Sequence, residues 1–531
     1  MTTLGSVERL RAGSGPAYWP PHVAVAAMLI IELLAILALN DGMLVYSLDD
    51  AYIHLALAEN IARGHYGINL TEPSAPSSSI LWPFLLVPYS GTDFHDKWPL
   101  ILNIAAVMAS VGMLQAIVRR ALPPGSCPSW LPPLLVIAAA TALNLVGLVF
   151  TGMEHSLQVL LALAVVRGLV IEAEERRITW YLILSVLVGP LVRYENLALS
   201  LGAVCYLGLR GRLWAACGLG IATILPLVAF SQFLLDLGLG WLPSSVLLKT
   251  SLASGDGGVT AVAVVLVRSL LWSPIRISHL LLLAILGLLL WCVCRPEQSK
   301  VMRLLAVAGS TWVVAHLAVG KYGWFGRYEV YAMISAAALL LYLYRHQVSF
   351  RLLRRAPRTA GAALISVPLV LGLPILRVPV LTPLAANNIY EQQYQMHRFV
   401  TDYAGGATVA VNDLGWVSYR NDGYVLDLWG LGSIEAGARR TENEPGWMEV
   451  LVRRHDARLA MVYDSWFPGQ IPFHWVRLGT LRLGNARVTP ASSEVAFYAT
   501  EPAAAAEFAP RLAEWSRTLP PGAIFEPGAP E

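Results

Sequence analysis

Charge is what this chain has least of. Asp, Glu, Lys and Arg make up 14% of its 531 residues, against about 25% in average soluble proteins. With 56% hydrophobic residues and a mean hydropathy of +0.56, that shortage excludes an ordinary soluble domain over the whole length. Cysteine is scarce too. Cys127, Cys205, Cys217, Cys292 and Cys294 lie in or beside apolar runs and none lies beyond residue 380, so neither a disulfide framework nor a Cys-x-x-Cys metal site is offered. No nucleophile elbow, P-loop or Rossmann glycine series is present, which leaves nucleotide chemistry without a motif. A net charge of +3, without a basic face interleaved with aromatics, gives no reason to expect nucleic acid.

What the chain has instead is long apolar runs. They fall near 23–46, 98–118, 130–150, 156–172, 179–192, 195–209, 214–235, 278–294, 302–320, 329–344 and 360–377. Most are of membrane-crossing length, with 179–192 the shortest, so the expectation is a polytopic α-helical membrane protein of about 11 transmembrane helices. The first run lacks an A-x-A-like cleavage site and is long for a signal sequence, which reads as a retained helix. From about 380 the composition returns to that of a soluble domain. The expected division is a tail over 1–22, a membrane domain over 23–379, and an α/β domain over 380–531. Arg119/Arg120, Arg176/Arg177, Arg210/Arg212, and the basic stretches 295–303 and 345–358 fall in alternate connections. By the positive-inside rule those connections and the N-terminus are cytoplasmic, and the C-terminal domain is extracytoplasmic.

The awkward ionisable residues then collect on the outer face. Asp49 and Asp50 open the first outer loop, 47–97, directly after the first apolar run. Two adjacent carboxylates beside head-group phosphates are costly there unless they do chemistry. The run from Ala51 to Arg63 has apolar residues at helical spacing and ends at Gly64, which predicts an interfacial amphipathic helix. The bland alternative makes Asp49 or Asp50 a cap at that helix's N-terminus, where carboxylates are favoured. Glu154, Arg193, Glu195, Lys249 and Arg327 fall in other outer connections. His54, four residues after Asp50, shares its helical face.

The first outer loop carries, in order, Asp49-Asp50-Ala51-Tyr52-Ile53, Gly64-His65-Tyr66-Gly67 and Ser77-Ser78-Ser79-Ile80-Leu81-Trp82. Together these segments resemble the GT-C-type glycosyltransferases, multi-spanning enzymes that use polyprenyl-phosphate sugars. Thr151-Gly152-Met153-Glu154 is similar to the family's GxE, Arg193-Tyr194-Glu195-Asn196 to its RPEG turn, and Trp241-Leu242-Pro243-Ser244-Ser245 with Lys249 to its LPNxxxxK. Gly326-Arg327-Tyr328 is similar to its GRY loop. Asn412-Asp413-Leu414-Gly415-Trp416 and Leu426-Asp427-Leu428-Trp429-Gly430-Leu431 resemble the opening of its outer domain. Tyr194 stands where proline is usual and Ser244 where asparagine is usual. The pattern is most like bacterial arabinofuranosyltransferase-like and mannosyltransferase-like enzymes of the cytoplasmic membrane.

The resemblance implies transfer of a sugar from a polyprenyl-phosphate donor to a hydroxyl of a glycan, lipid or protein, and inversion is the simpler expectation because no second carboxylate is clearly placed as a nucleophile. Asp49 is the expected general base and Asp50 its partner at the sugar hydroxyls. Arg193, Lys249 and Arg327 are candidates for the leaving phosphate; the competing readings are an Arg193–Glu195 ion pair and snorkelling of Lys249 and Arg327 to head groups. His54, Glu154 and Glu195 complete the expected substrate-binding set. No cofactor is expected, and no obligatory metal, although His54 with the aspartates offers metal-ligating types. The C-terminal domain is expected to carry a small sheet, cover the cleft and shape acceptor binding. Trp429, Trp447 and Trp466 are its sugar-stacking candidates, against core packing. Two other classes fit a polytopic chain: a secondary transporter, for which midplane charges and an internal repeat are missing, and a non-catalytic envelope assembly protein, which leaves the acidic pair without a task.

Overall fold

A computed structural model describes residues 19–245, 276–348 and 353–528. The first half is helical: α1 (Trp19–Leu39), α2 (Asp50–Ala62), α3 (Leu81–Leu86), α4 (Trp98–Ala121), α5 (Leu131–Ala142), α6 (Leu145–Val149), α7 (His155–Glu175), α8 (Trp180–Val192), α9 (Leu197–Leu209) and α10 (Leu213–Asp236). There follow α11 (Ile277–Cys294), α12 (Lys300–Val319), α13 (Val330–Leu343), α14 (Pro357–Gly372), α15 (Val378–Glu391) and α16 (Gln393–Arg398). Each of the eleven apolar runs carries a helix. Among the described residues six helices (α1, α4, α7, α10, α11 and α12) are long and apolar enough to cross a membrane; the run at 130–150 is divided between α5 and α6 at Asn144, whose φ is +56°.

Three of the basic connections meet at one end of the bundle. Arg120 pairs with Glu174 and Glu175, Arg210 with Glu172, and the Arg176 guanidinium donates to the Arg210 carbonyl. Asp49 and Asp50 lie at the other end, beside the C-terminal domain.

That domain contains β1 (Val409–Val411), α17 (Gly415–Ser418), β2 (Val425–Asp427), α18 (Ile434–Glu442), α19 (Trp447–Arg454), β3 (Leu459–Val462), β4 (Val476–Leu483), β5 (Glu494–Ala499), α20 (Pro502–Ser516) and β6 (Ala523–Pro527). Its six strands run β2-β1-β3-β5-β4-β6. The first three are parallel and the rest antiparallel. Fully buried short strands such as Val409–Val411 suit the parallel half, which is covered on both faces.

The first outer loop departs from expectation. Rather than an amphipathic helix open along a surface, α2 is buried continuously from Ala51 to Asn60. The physical reason is the C-terminal domain, which lies on it. Tyr52 stacks on Trp416 with ring centroids 3.9 Å apart. The Asn69 side chain exchanges two hydrogen bonds with the Val425 backbone, at 3.0 and 2.9 Å, closing the edge of β2. Glu59 accepts from the Arg420 N–H at 3.2 Å. Membrane helices and sheet domain thus share one hydrophobic core, and the change near residue 380 falls close to the start of α15, where Asn387 still bonds the end of α1.

Candidate active site

Asp49 stands at the N-terminus of α2 yet makes no capping hydrogen bond to its own helix. Its carboxylate instead accepts from the backbone N–H groups of Gly415 and Trp416, at 2.8 and 2.9 Å. This approach requires glycine: a Cβ on Gly415 would fall 2.6 Å from the Asp49 carboxylate. Gly152 performs the same service on the other side, where a Cβ would meet Ala51 and Tyr46 at 2.7 Å. Chain segments more than 350 residues apart in sequence are thereby closed around one acidic group.

Asp413 faces the same cavity. It accepts from Gln393 Nε2 at 2.9 Å and from the Tyr463 hydroxyl. Burial and the charge of Asp413 push the Asp49 carboxyl up to about 8, against the two backbone N–H groups. Burial also raises Asp413, opposed by Tyr463 and Gln393 and helped by the charge of Asp50. Two carboxyls of this kind, each raised by burial and by a carboxylate neighbour, favour sharing a proton over double ionisation.

Asp50 is placed differently. It is 35% exposed and pairs with Arg327 Nη2 at 2.7 Å. The buried Arg327 also donates to the Tyr328 hydroxyl at 2.9 Å and contacts Met153 Sδ at 2.6 Å.

A cavity of about 190 Å³ is lined by Asp49, Asp50, Arg327, Gln393, Asp413 and Trp324 among others. Trp429 and Trp466 lie on its wall, their centroids 4.4 Å apart. The buried Asp427 carboxylate holds the Trp429 backbone there by accepting from the main-chain N–H groups of Trp429 at 2.9 Å and Gly432 at 2.8 Å. Trp447, by contrast, is a core residue, 1% exposed. Trp324, on the cavity wall, belongs to a strained stretch: φ is +46° at Trp324 and +69° at Phe325, between glycines at +80° and +67°. Left-handed backbone costs roughly 1–2 kcal/mol at each of the two aromatics, and such outliers gather at functional sites.

The other expected residues stand behind this cavity. Arg193 donates to Glu195 at 3.1 and 2.6 Å, to Glu154 at 2.9 Å and to Ser78 at 2.7 Å. His54 Nε2 lies 3.6 Å from Glu154. Tyr328 connects this cluster to the cavity, with its ring 6.0 Å from the Arg193 guanidinium and 4.9 Å from that of Arg327. The structure therefore brings Asp49, Asp50 and Arg327 to the cavity and sets His54, Glu154, Arg193 and Glu195 in a buried ion-pair cluster beside it. Lys249 lies outside the described residues. Asp413, Gln393, Tyr463 and Trp324 were not among the expected residues; the Asn-Asp-Leu-Gly-Trp segment was the signal available for Asp413. Among the described residues no group of three or more His, Cys, Asp or Glu side chains is arranged to hold a metal ion.

Comparison with known proteins gives little more. Residues 387–498 match the family model described as a domain of unknown function, DUF8728. No curated protein matches the chain. Among solved structures, the oligosaccharyltransferase of Archaeoglobus fulgidus in its apo form is similar at 9% identity and a TM-score of 0.42, over 88% of this chain and 74% of that one. The same enzyme in complex with Zn and sulfate gives 9% identity and 0.44, over 94% and 74%. Both scores lie below the level at which two chains share a fold, so the functional reading rests on the site itself.

Proposed function

We propose that this chain is a membrane glycosyltransferase that moves a sugar from a polyprenyl-phosphate donor to an acceptor hydroxyl. The observation that carries the reading is one cavity ringed by Asp49, Asp50, Asp413 and Arg327 at the end of a membrane bundle. In this reading the acceptor hydroxyl gives its proton to Asp49 as its oxygen bonds the anomeric carbon. The bond from that carbon to the phosphate oxygen breaks, and polyprenyl phosphate leaves with the electron pair. Asp413 shares the Asp49 proton and so sets its basicity near working pH. Asp50, paired with Arg327, accepts hydrogen bonds from sugar hydroxyls. A single attack of this kind inverts the anomeric centre.

Arg327 and Lys249 are the proposed cations for the leaving phosphate, where charge grows in the transition state. Arg193 is committed to Glu154 and Glu195 and acts as a positioning residue for the wall that carries Tyr328. No metal is needed in this reading, because the Arg327 guanidinium already supplies positive charge against Asp50. The extracytoplasmic side of a bacterial cytoplasmic membrane is the proposed setting, from the charge asymmetry of the connections. The test is transfer of radiolabelled sugar from membrane-extracted polyprenyl-phosphate donors by the purified full chain in lipid. Transfer is expected. Its absence across pentose and hexose donors, with solute uptake into sealed vesicles, would replace the reading with transport.

A further inference from the structure

The end of the bundle away from the carboxylates carries a second charged feature. Helix α7 begins beside Glu154, in the cluster behind the cavity, and its 21 residues end at Glu175, roughly 30 Å further along its axis. Two connections meet there, 176–179 between α7 and α8 and 210–212 between α9 and α10. The Arg176 guanidinium donates to the Arg210 carbonyl at 3.4 Å, and the Arg212 guanidinium donates to the Arg176 carbonyl at 2.5 Å. Each arginine is thereby fixed by the main chain of the other's connection, which positions a guanidinium without cancelling its charge.

The carboxylates at this end are engaged elsewhere. Glu174 and Glu175 pair with Arg120, Glu175 also with Arg177, and Glu172 with Arg210. Among the described residues no carboxylate lies within ion-pair distance of Arg176 or Arg212. Arg176 also takes the left-handed position that ends α7, with φ at +56°, where glycine is usual and a Cβ is disfavoured.

A tryptophan follows each arginine. Trp180, four residues after Arg176, opens α8 and is 72% exposed; Trp214, two after Arg212, lies in the first turn of α10 and is 94% exposed. The two helices pack together, with the Thr223 hydroxyl bonded to the Val186 carbonyl at 3.3 Å. Leu184, one turn after Trp180, and Ile221, two turns after Trp214, are exposed on the same helix faces. Guanidinium, indole and aliphatic side chain is the order met in passing from lipid head groups to acyl chains. A water-soluble anion would account for the arginines but not for the indoles and apolar flank that continue from them.

We propose that this joint is a docking surface for an anionic glycerophospholipid, with its phosphodiester on Arg176 and Arg212 and its acyl chains along α8 and α10 below Trp180 and Trp214. Charge complementarity selects this occupant, because two guanidinium groups without carboxylate partners meet a net negative head group, whereas a zwitterionic lipid brings its own cation to them. The surface does not depend on the function proposed for the carboxylate cavity.

The test is native mass spectrometry of the full chain in detergent, titrated with phosphatidylglycerol or phosphatidylcholine of the same acyl chains. Phosphatidylglycerol is expected to be retained preferentially. The double variant Arg176→Gln/Arg212→Gln is expected to retain it about tenfold less or weaker still, since each basic residue beside an anionic lipid contributes several-fold. Lys300→Gln/Arg303→Gln, which removes the same charge from the start of α12, is expected to leave the preference in place. Trp214→Ala, at an exposed position that keeps both arginines, is expected to lower retention of both lipids several-fold. Equal retention of the two lipids by the unaltered chain would overturn the proposal. So would an equal loss of preference in the two double variants, or unchanged retention in Trp214→Ala.

Discussion

Replacing Asp413 by asparagine should make transfer faster at neutral pH, although it removes a carboxylate from the site. Asp49 titrates near 8 because it is buried and because Asp413 stands beside it. A carboxylate neighbour moves a pKa by roughly 1–3 units, and asparagine preserves the carbonyl oxygen that Gln393 and Tyr463 bond. The rising limb of kcat/KM against pH, which reports ionisation of the free enzyme's base, should move acidward by roughly one unit or more in Asp413→Asn. A base shifted from about 8 to about 7 is ionised about fivefold more at pH 7. The assay is initial-rate sugar transfer across about pH 6 to 9, where such a limb lies. The sign of the linked stability is opposite. The folded chain binds the Asp49 proton more tightly than the unfolded chain does. That stabilisation is complete below the ordinary carboxyl value of 3.8 and is lost as pH rises through about 8. A limb with the same midpoint in the variant and the unaltered protein would refute the shared-proton argument.

Other consequences are as specific. Gly415→Ala forces a Cβ towards the Asp49 carboxylate, so transfer should fall at least tenfold with about 1–3 kcal/mol of stability lost through unmade buried hydrogen bonds, read by thermal melting alongside rates. Arg327→Gln should destabilise by about 1–3 kcal/mol, less than for a fully buried pair because Asp50 is 35% exposed; denaturant melts measure it. Trp324→Gly relieves a left-handed φ of +46° while deleting a cavity wall. Stability should stay within about 1 kcal/mol as KM for the acceptor rises several-fold, a split that equal losses in both would contradict.

Much of the fold could be read from the chain because hydrophobic runs are local. Each run became a helix, and the arginines at 119–120, 176–177 and 210–212 met at one end as their spacing implied. Strands β1, β2 and β3 are visible in the chain as short apolar segments, within 407–411, 423–427 and 459–463. Strands β4 to β6 were not, since Val476–Leu483 alternates irregularly between exposed and buried positions. The site was legible only in part, for a similar reason. Asp49 and Asp50 announce themselves by position, but α2 is covered by residues some 360 positions later, and no periodicity within 51–62 carries that information. Asp413 is a lone aspartate after a short strand, the commonest setting for a turn residue. Arg193 and Glu195 were expected to face substrate, with their mutual ion pair as the alternative. The geometry shows that pair, extended through Glu154 to His54.

The most direct measurement is transfer from polyprenyl-phosphate donors by Asp49→Asn and Asp50→Asn, each compared with the unaltered protein. If Asp49 takes the acceptor proton, Asp49→Asn should lower kcat by about 100-fold or more with little change in donor binding, and the limb near pH 8 should vanish. Asp50→Asn should chiefly raise KM and keep that limb. An Asp49→Asn protein that transfers sugar at the normal rate with its pH profile intact would contradict the account.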